Sequence, residues 1–290
     1  ATHHGRVVHL PPFAQPAMSF PLVDDVQPLL ETDAFGRSLR GYESVGSTNT
    51  AATRWALQGA AHGSVMLTEY QTAGRGRQGR RWDAKPGQNL MFSVVLRPPL
   101  PPNRLGLLPL AAGLAVAEAI EPFIAPVTAS VKWPNDVLVD GQKTCGMLLE
   151  TSFSGRAADT DPPAFVILGI GLNVNQIHFP DALADTATSL RLVTGRLVPR
   201  APLLARLLKH LEDRSDALHT DAGTEDVRAD FRARMHQRGE SVTLHQPESG
   251  TDLHGTVRGI TTDGALLLDT ATGPRPVYAG DVTTRRPSTR

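Results

Sequence analysis

Gly74-Arg75-Gly76-Arg77-Gln78-Gly79-Arg80-Arg81 is the stretch on which the fold assignment turns. Read literally, it contains Gly-x-Gly-x-x-Gly, the fingerprint of a doubly wound, dinucleotide-binding sheet. Its surroundings reject that reading. The fingerprint must open a helix, yet Asp83-Ala84-Lys85-Pro86-Gly87 come next. No Asp or Glu stands between Ala84 and Ala117 to hold a ribose. A Walker loop is excluded too, because Gly79 is followed by Arg80-Arg81 and not by Lys-Ser/Thr. What remains is a loop with four arginines among glycines. Glycine lets a ligand approach the backbone closely, and arginine presents a permanent, planar, forked charge to carboxylate or phosphate oxygens. An anion clamp and a solvated basic loop both fit this segment taken alone.

The flanking pattern is α+β. Ser47 to Gln58 opens on capping residues and continues at helical spacing. Ser64 to Tyr70 and Leu90 to Leu96 read as strands, and Leu105 to Ile120 as an Ala/Leu-rich helix ending before Pro122. Val131 to Val139 and Gln142 to Glu150 flank Asp140-Gly141, a strong hairpin signal because both central positions of a type I′ turn need positive φ. Pro134 within the first of these runs implies an edge or a bulge. Phe165 to Val174 reads as a buried strand, and Pro202 to Leu218 and Val227 to Met235 as helices. From Glu240 onward, short strands at Ser241–His245, Gly255–Ile260, Ala265–Leu268 and Pro276–Tyr278 predict a small all-β barrel. Three units are expected: residues 1–38 as a flexible tail, 39–238 as the main α+β domain with a central mixed sheet flanked by helices, and 239–290 as the barrel.

Composition sets the outer limits. The chain has 290 residues, 40% of them hydrophobic, which supports a sizeable core. Lys+Arg and Asp+Glu are both 29, so nothing at whole-chain level points to nucleic acid or a membrane surface. One cysteine, Cys145, excludes an internal disulfide framework and a cysteine-rich zinc site and fits a reducing cytoplasm. No run of about 18 apolar residues free of charges or breakers is evident. His3-His4 reads as part of the tail and not as a metal site.

Two further segments carry chemistry. Lys132-Trp133-Pro134-Asn135-Asp136 crowds polar groups onto one bend, and the following hairpin returns Lys143-Thr144-Cys145-Gly146 beside it. Gly169-Ile170-Gly171-Leu172-Asn173 places glycines inside an apolar strand, where they mark either close approach by a ligand or backbone, or tight core packing.

Taken together and in order, Ser47-Thr48-Asn49, Glu69 through Trp82, Lys132 through Asp136, Lys143 through Gly146 and Gly169 through Asn173 resemble the catalytic domain of biotin protein ligases. The resemblance runs from about Tyr42 to the C-terminus. It implies a class II synthetase-like, biotin–lipoate ligase-like domain followed by an SH3-like barrel. It also implies a monofunctional type, since the residues before Tyr42 are too few for the DNA-binding domain of the repressor members. The implied reaction uses ATP and Mg²⁺ to convert biotin to biotinyl-5′-AMP, then passes biotin to one lysine of a biotin carboxyl carrier protein or domain, such as that of an acetyl-CoA, acyl-CoA or pyruvate carboxylase.

By the same resemblance, Ser47, Thr48, Asn49 and Gln71 bind the polar end of biotin, with Gly146 beside them. Arg75, Gly76 and Arg77 lie along the carboxylate and the adenylate phosphate, and Lys143 reaches the reacting atoms, making Lys143, Arg75 and Arg77 the catalytic set. Arg77, Arg80, Trp82, Lys132, Asn135 and Asn173 are assigned to ATP, and no metal ligand is assigned to the protein. Cys145 has no nucleophilic role in this scheme. The glycine-hinged loop is expected to close over the water-sensitive adenylate. A cytoplasmic monomer or weak homodimer without DNA or membrane partners is expected. Two alternatives stay open: a lipoate ligase or lipoyl/octanoyl transferase of the same fold, and a nucleic-acid-binding module.

Overall fold

A computed structural model describes residues 20–153, 163–246 and 251–284. The main domain is built on a seven-stranded sheet of β1 (Leu39–Val45), β2 (Val65–Gln71), β3 (Leu90–Leu96), β4 (Ala129–Lys132), β5 (Asp136–Val139), β6 (Gln142–Ser152) and β7 (Phe165–Leu172), in the spatial order β1-β2-β3-β7-β6-β5-β4. β1 and β2 run parallel and every other neighbouring pair antiparallel, so the sheet is mixed as expected. A parallel pair needs a crossover, and α2 (Thr48–Leu57) supplies it. The remaining helices are α1 (Pro21–Val26), α3 (Leu107–Ile124), α4 (Leu190–Thr194), α5 (Arg200–Ala217) and α6 (Asp221–Arg234).

β3 and β7 are buried at every residue, which is why they read as unbroken apolar runs and not as alternating ones. α2 packs across β2, β3 and β7, while α3 packs against β4, β5 and β6. Apolar all round, α3 is long and apolar enough by composition to cross a membrane, yet it is the buried core helix here. It also runs through Pro122, where the sequence predicted its end. The proline deletes one N–H in the last turn, and Ala125 N–H closes that turn by donating to Glu121 O.

Two other expectations are corrected. Trp133-Pro134-Asn135 is not part of a strand; it is the turn joining antiparallel β4 and β5, with a cis Trp133-Pro134 bond. Residues 20–38 are not a loose tail. Phe20 and Phe35 are buried, and the buried carboxylate of Glu212 on α5 accepts from the N–H groups of Asp33 (2.9 Å), Ala34 (2.6 Å) and Phe35 (3.0 Å). These charge-assisted bonds satisfy three otherwise orphaned backbone donors. The rest of the expected tail lies outside the described residues, as do 247–250 and 285–290 of the barrel unit.

The barrel contains five strands, β8 (Ser241–Gln246), β9 (Thr251–Ile260), β10 (Leu266–Thr270), β11 (Gly273–Val277) and β12 (Asp281–Thr284), ordered β11-β10-β9-β8-β12 and antiparallel throughout. β12 was not anticipated. The barrel residues Val242, Leu244, Val257, Leu266 and Leu268, from β8, β9 and β10, join the core of the main domain. The junction is specific: Trp133 Nε1 donates to Gly264 O at 3.0 Å, and Trp133 N–H donates to Gln237 Oε1 at 3.2 Å. The barrel therefore holds the bend that carries Lys132, Asn135 and Asp136.

Candidate functional site

The floor of the site follows from strand register. Ser93 on β3, Gly169 on β7 and Leu148 on β6 form one cross-strand row. Two residues along, Met91, Gly171 and Gly146 form the next row on the same face. Both β7 glycines are needed for close approach, and the approaching groups are side chains. A Cβ at Gly169 would lie 2.1 Å from Asn49 Oδ1, and one at Gly171 would lie 2.4 Å from Trp82 Cε2. The indole of Trp82 thus covers the floor between Gly171 and Gly146, and its Nε1 is buried with no hydrogen-bond acceptor.

A hydrogen-bond chain runs from α2 to the arginine loop. Ser47 is the N-cap position of α2, but the cap is supplied by Gln71, whose Oε1 accepts from Thr48 N–H at 2.8 Å and lies 3.2 Å from Thr48 Oγ1. Ser93 Oγ lies 2.8 Å from Thr48 Oγ1 and 2.7 Å from Asn49 Oδ1. Asn49 Nδ2 donates to Glu150 Oε2 at 2.7 Å and to Leu148 O at 3.3 Å. Glu150 then pairs with Arg75, whose Nη2 is 3.0 Å from Oε1 and also donates to Thr50 Oγ1 at 3.3 Å. Ser47, Thr48 and Asn49 are all buried, and both Asn49 amide hydrogens go to protein acceptors.

The arginine loop is a tight hairpin. Arg75 and Arg81 pair as an isolated antiparallel bridge, Gly76 N–H donates to Arg80 O at 2.6 Å and Trp82 N–H to Gly74 O at 3.1 Å. Gln78 and Gly79 at its tip both have positive φ, 55° and 72°, the geometry of a type I′ turn. Arg80 and Arg81 are exposed. Arg77 points back to the protein, where Nη1 donates to Asn135 Oδ1 at 3.0 Å, while Asn135 Nδ2 donates to Met147 O at 2.6 Å.

The hairpin of β5 and β6 turns at Asp140 and Gly141, both at positive φ as predicted. It brings Lys143 Nζ to 2.7 Å from Asp136 Oδ1 and 5.8 Å from the centre of the Trp82 ring. Lys132 stands opposite Asp136 in the β4–β5 register. Lys143, Trp82 and Gly146 therefore converge on one region, with Asn135 and Arg77 next to it, while Arg75 sits at the rim on Glu150 and Thr50. Asn173 sits at its margin: it is buried, and its Nδ2 donates to Thr188 O at 3.1 Å. Cys145 is fully buried in the core that α3 covers, and burial pushes its thiol far above the ordinary range. A thiol held protonated is not a nucleophile.

Three features were missed in the sequence. Ser93 and Glu150 complete the hydrogen-bond chain, yet both sit in ordinary strands with no motif around them. A cleft of about 480 Å³ opens beside Gln142, walled by Ile177, Phe179, Ala187, Leu192 and Val193. Its loop is zipped to β6 by Lys143 N–H to Thr186 O (2.8 Å) and Thr188 N–H to Lys143 O (2.9 Å). A second cleft of about 450 Å³ lies outside α2, lined by Tyr42, Thr50, Arg54 and Arg75 among others.

The chain is similar in sequence and fold to known proteins. Residues 41–170 match the biotin/lipoate A/B protein ligase family, and residues 239–285 match the biotin protein ligase C-terminal domain. The biotin–[acetyl-CoA-carboxylase] ligase of Mycobacterium tuberculosis is 39% identical over 251 residues, covering 85% of this chain and 88% of that protein. The bifunctional ligase/repressor BirA of Bacillus subtilis is 33% identical over 255 residues, covering 87% of this chain and 76% of its own. Among solved structures, the biotin protein ligase of Aquifex aeolicus in complex with biotin and ATP superposes with a TM-score of 0.72 at 30% identity, covering 86% of this chain and 99% of that one.

Proposed function

Since this chain belongs to the biotin protein ligase family, we propose that it is an ATP-dependent, AMP-forming biotin–protein ligase whose site is the glycine floor under Trp82, with Lys143 beside it. The observation that supports the reading is Lys143 beside Trp82 and Gly146 on the glycine floor, with Arg77 tied to Asn135 next to it and Arg75 held at the rim by Glu150. Activation makes an oxygen of the biotin carboxylate attack the α-phosphorus of ATP, forming biotinyl-5′-AMP and expelling pyrophosphate. Two anions must meet, so positive charge has to be in place beforehand. In the second step a carrier lysine amine attacks the acyl carbon and AMP leaves.

We assign residue roles by the family resemblance. Thr48 and Gln71 present polar atoms toward the ureido end of biotin, with Ser47 at the helix entry and Asn49 fixed beneath them. Arg75, Gly76 and Arg77 run along the carboxylate and α-phosphate, and Lys143 is near enough to Trp82 and Gly146 to stabilise the charge that develops there. The indole of Trp82 and Gly146 flank the ligand. Asn135, Lys132, Arg80 and Asn173 are assigned to the nucleotide by the family resemblance, and the cleft beside Gln142 has none of them in its lining. Mg²⁺ enters as the ATP complex, its ligands chiefly phosphate and water oxygens. The acceptor is the biotin-carrying domain of a carboxylase, and the enzyme acts in the cytoplasm as a monomer or weak dimer.

The test is pyrophosphate release with Mg-ATP and either biotin or lipoate. Release that depends on biotin and not on lipoate is expected. Release with lipoate alone would move the protein to the lipoate branch of the fold, and no release with either would contradict the enzymatic reading.

A further inference from the structure

Glu150 has the wrong sign of charge for a site that brings a carboxylate against phosphates. A negative group there opposes ligand binding unless what it holds offsets the repulsion. It holds two things. One is Asn49, buried to 3% exposure, which donates to Glu150 Oε2 at 2.7 Å. The other is Arg75, whose Nη2 lies 3.0 Å from Oε1 in a pair with side chains 49% and 35% exposed.

The two contacts differ in kind. The Asn49 bond is built into the sheet, because Gly169 lacks a Cβ so that Asn49 can seat above it, and Leu148 O shares the same amide. The Arg75 pair lies at the rim, where solvent screening makes an ion pair weak. Its geometry is a guanidinium on a carboxylate, the arrangement that biotin's own carboxylate would make with the same side chain.

We propose that Glu150 is a positioning residue that stands in for the ligand carboxylate: it holds Arg75 at the mouth of the ligand-free site, yields it to biotin's carboxylate, and keeps Asn49 fixed throughout. This rests on the biotin reading above. The exchange swaps one exposed ion pair for another, so it costs little and leaves Arg75 oriented before the ligand arrives.

The experiment titrates biotin and its neutral analogue biotinamide calorimetrically into the wild type, Glu150→Gln and Glu150→Ala. Glu150→Gln is nearly isosteric on a partly exposed side chain, and matching melting curves verify that the fold is kept. It retains an amide oxygen for Asn49 and removes the charge competing for Arg75. Biotin is expected to bind about two- to fivefold more tightly to Glu150→Gln than to the wild type, with biotinamide unchanged. Glu150→Ala, which also removes the shorter of the two hydrogen bonds that Asn49 Nδ2 donates, is expected to weaken both ligands. An equal effect of Glu150→Gln on both ligands, weaker biotin binding in that variant, or undiminished biotinamide binding in Glu150→Ala would overturn the proposal. A wild type that binds no biotin at all would instead overturn the ligase reading on which it stands, so the two failures are distinguishable.

Discussion

The indole of Trp82 rests on the bare backbone of Gly171, so closely that a Cβ there would lie 2.4 Å from Cε2. Gly171→Ala must therefore push Trp82 off the floor of the site or shift β7, which is buried along its whole length. Overpacking of this kind costs about 1–3 kcal/mol. The expected outcome is a loss of biotin-dependent pyrophosphate release of at least about tenfold, since a misplaced group of even 1 Å is costly in catalysis. Steady-state kinetics with a parallel melting curve separate the two effects.

Lys143 is a third exposed and pairs with Asp136 at 2.7 Å, so its loss also unpairs a buried Asp136 oxygen. Lys143→Ala should slow adenylate formation by about 10²-fold or more, the scale for removing one preorganised charge-stabilising group. A melting curve run in parallel separates the cost of unpairing Asp136 from the loss of rate. Near-normal pyrophosphate release in this variant would remove Lys143 from the reacting centre.

The barrel reaches the site through Trp133, whose Nε1 donates to Gly264 O and whose indole is 2% exposed. Trp133→Phe keeps most of the apolar volume and orphans that carbonyl. A cost of about 1–3 kcal/mol in denaturant unfolding is expected. Because the bend carries Lys132, Asn135 and Asp136, KM for ATP should rise more than KM for biotin. Equal changes in both constants would show that the barrel only stabilises.

Acid sensitivity should trace in part to the helical layer. Burial alone would raise the Glu118 carboxyl, but hydrogen bonds from His210 and Arg214 hold it at about 2. Its folded-state value lies below the ordinary 4.5, so its stabilisation is complete above pH 4.5 and is lost as pH falls from 4.5 toward 2. A contribution of about 1–3 kcal/mol is expected over that window. Glu118→Gln should be less stable near neutrality and show a flatter acid limb in pH-dependent denaturation. An identical acid limb in both proteins would contradict this assignment.

Legibility in the sequence followed how locally each feature is determined. Asp140-Gly141 was readable because a type I′ turn admits few residues. The arginine loop was readable because what followed it excluded both nucleotide-loop alternatives. Its hairpin shape was not, since that depends on the pairing of Arg75 with Arg81 across a turn with Gln78 at positive φ. Gly169 and Gly171 left open close approach by a ligand or backbone against tight packing, and only register and packing reveal that the side chains of Asn49 and Trp82 fill the space. Ser93 and Glu150 were invisible because each sits in a strand of unremarkable composition and acquires its role from neighbours across the sheet. The order in residues 20–38 depends on Glu212, far along the chain, which no local reading reaches.

The most direct test of the central claim is transfer itself. The protein is incubated with Mg-ATP, biotin and the biotin carboxyl carrier domain of a carboxylase, and the carrier is read by intact and peptide mass spectrometry. The account predicts one biotinyl addition on a single lysine, dependent on ATP and lost in Lys143→Ala. An unmodified carrier with wild-type enzyme would contradict it, as would addition that persists without ATP.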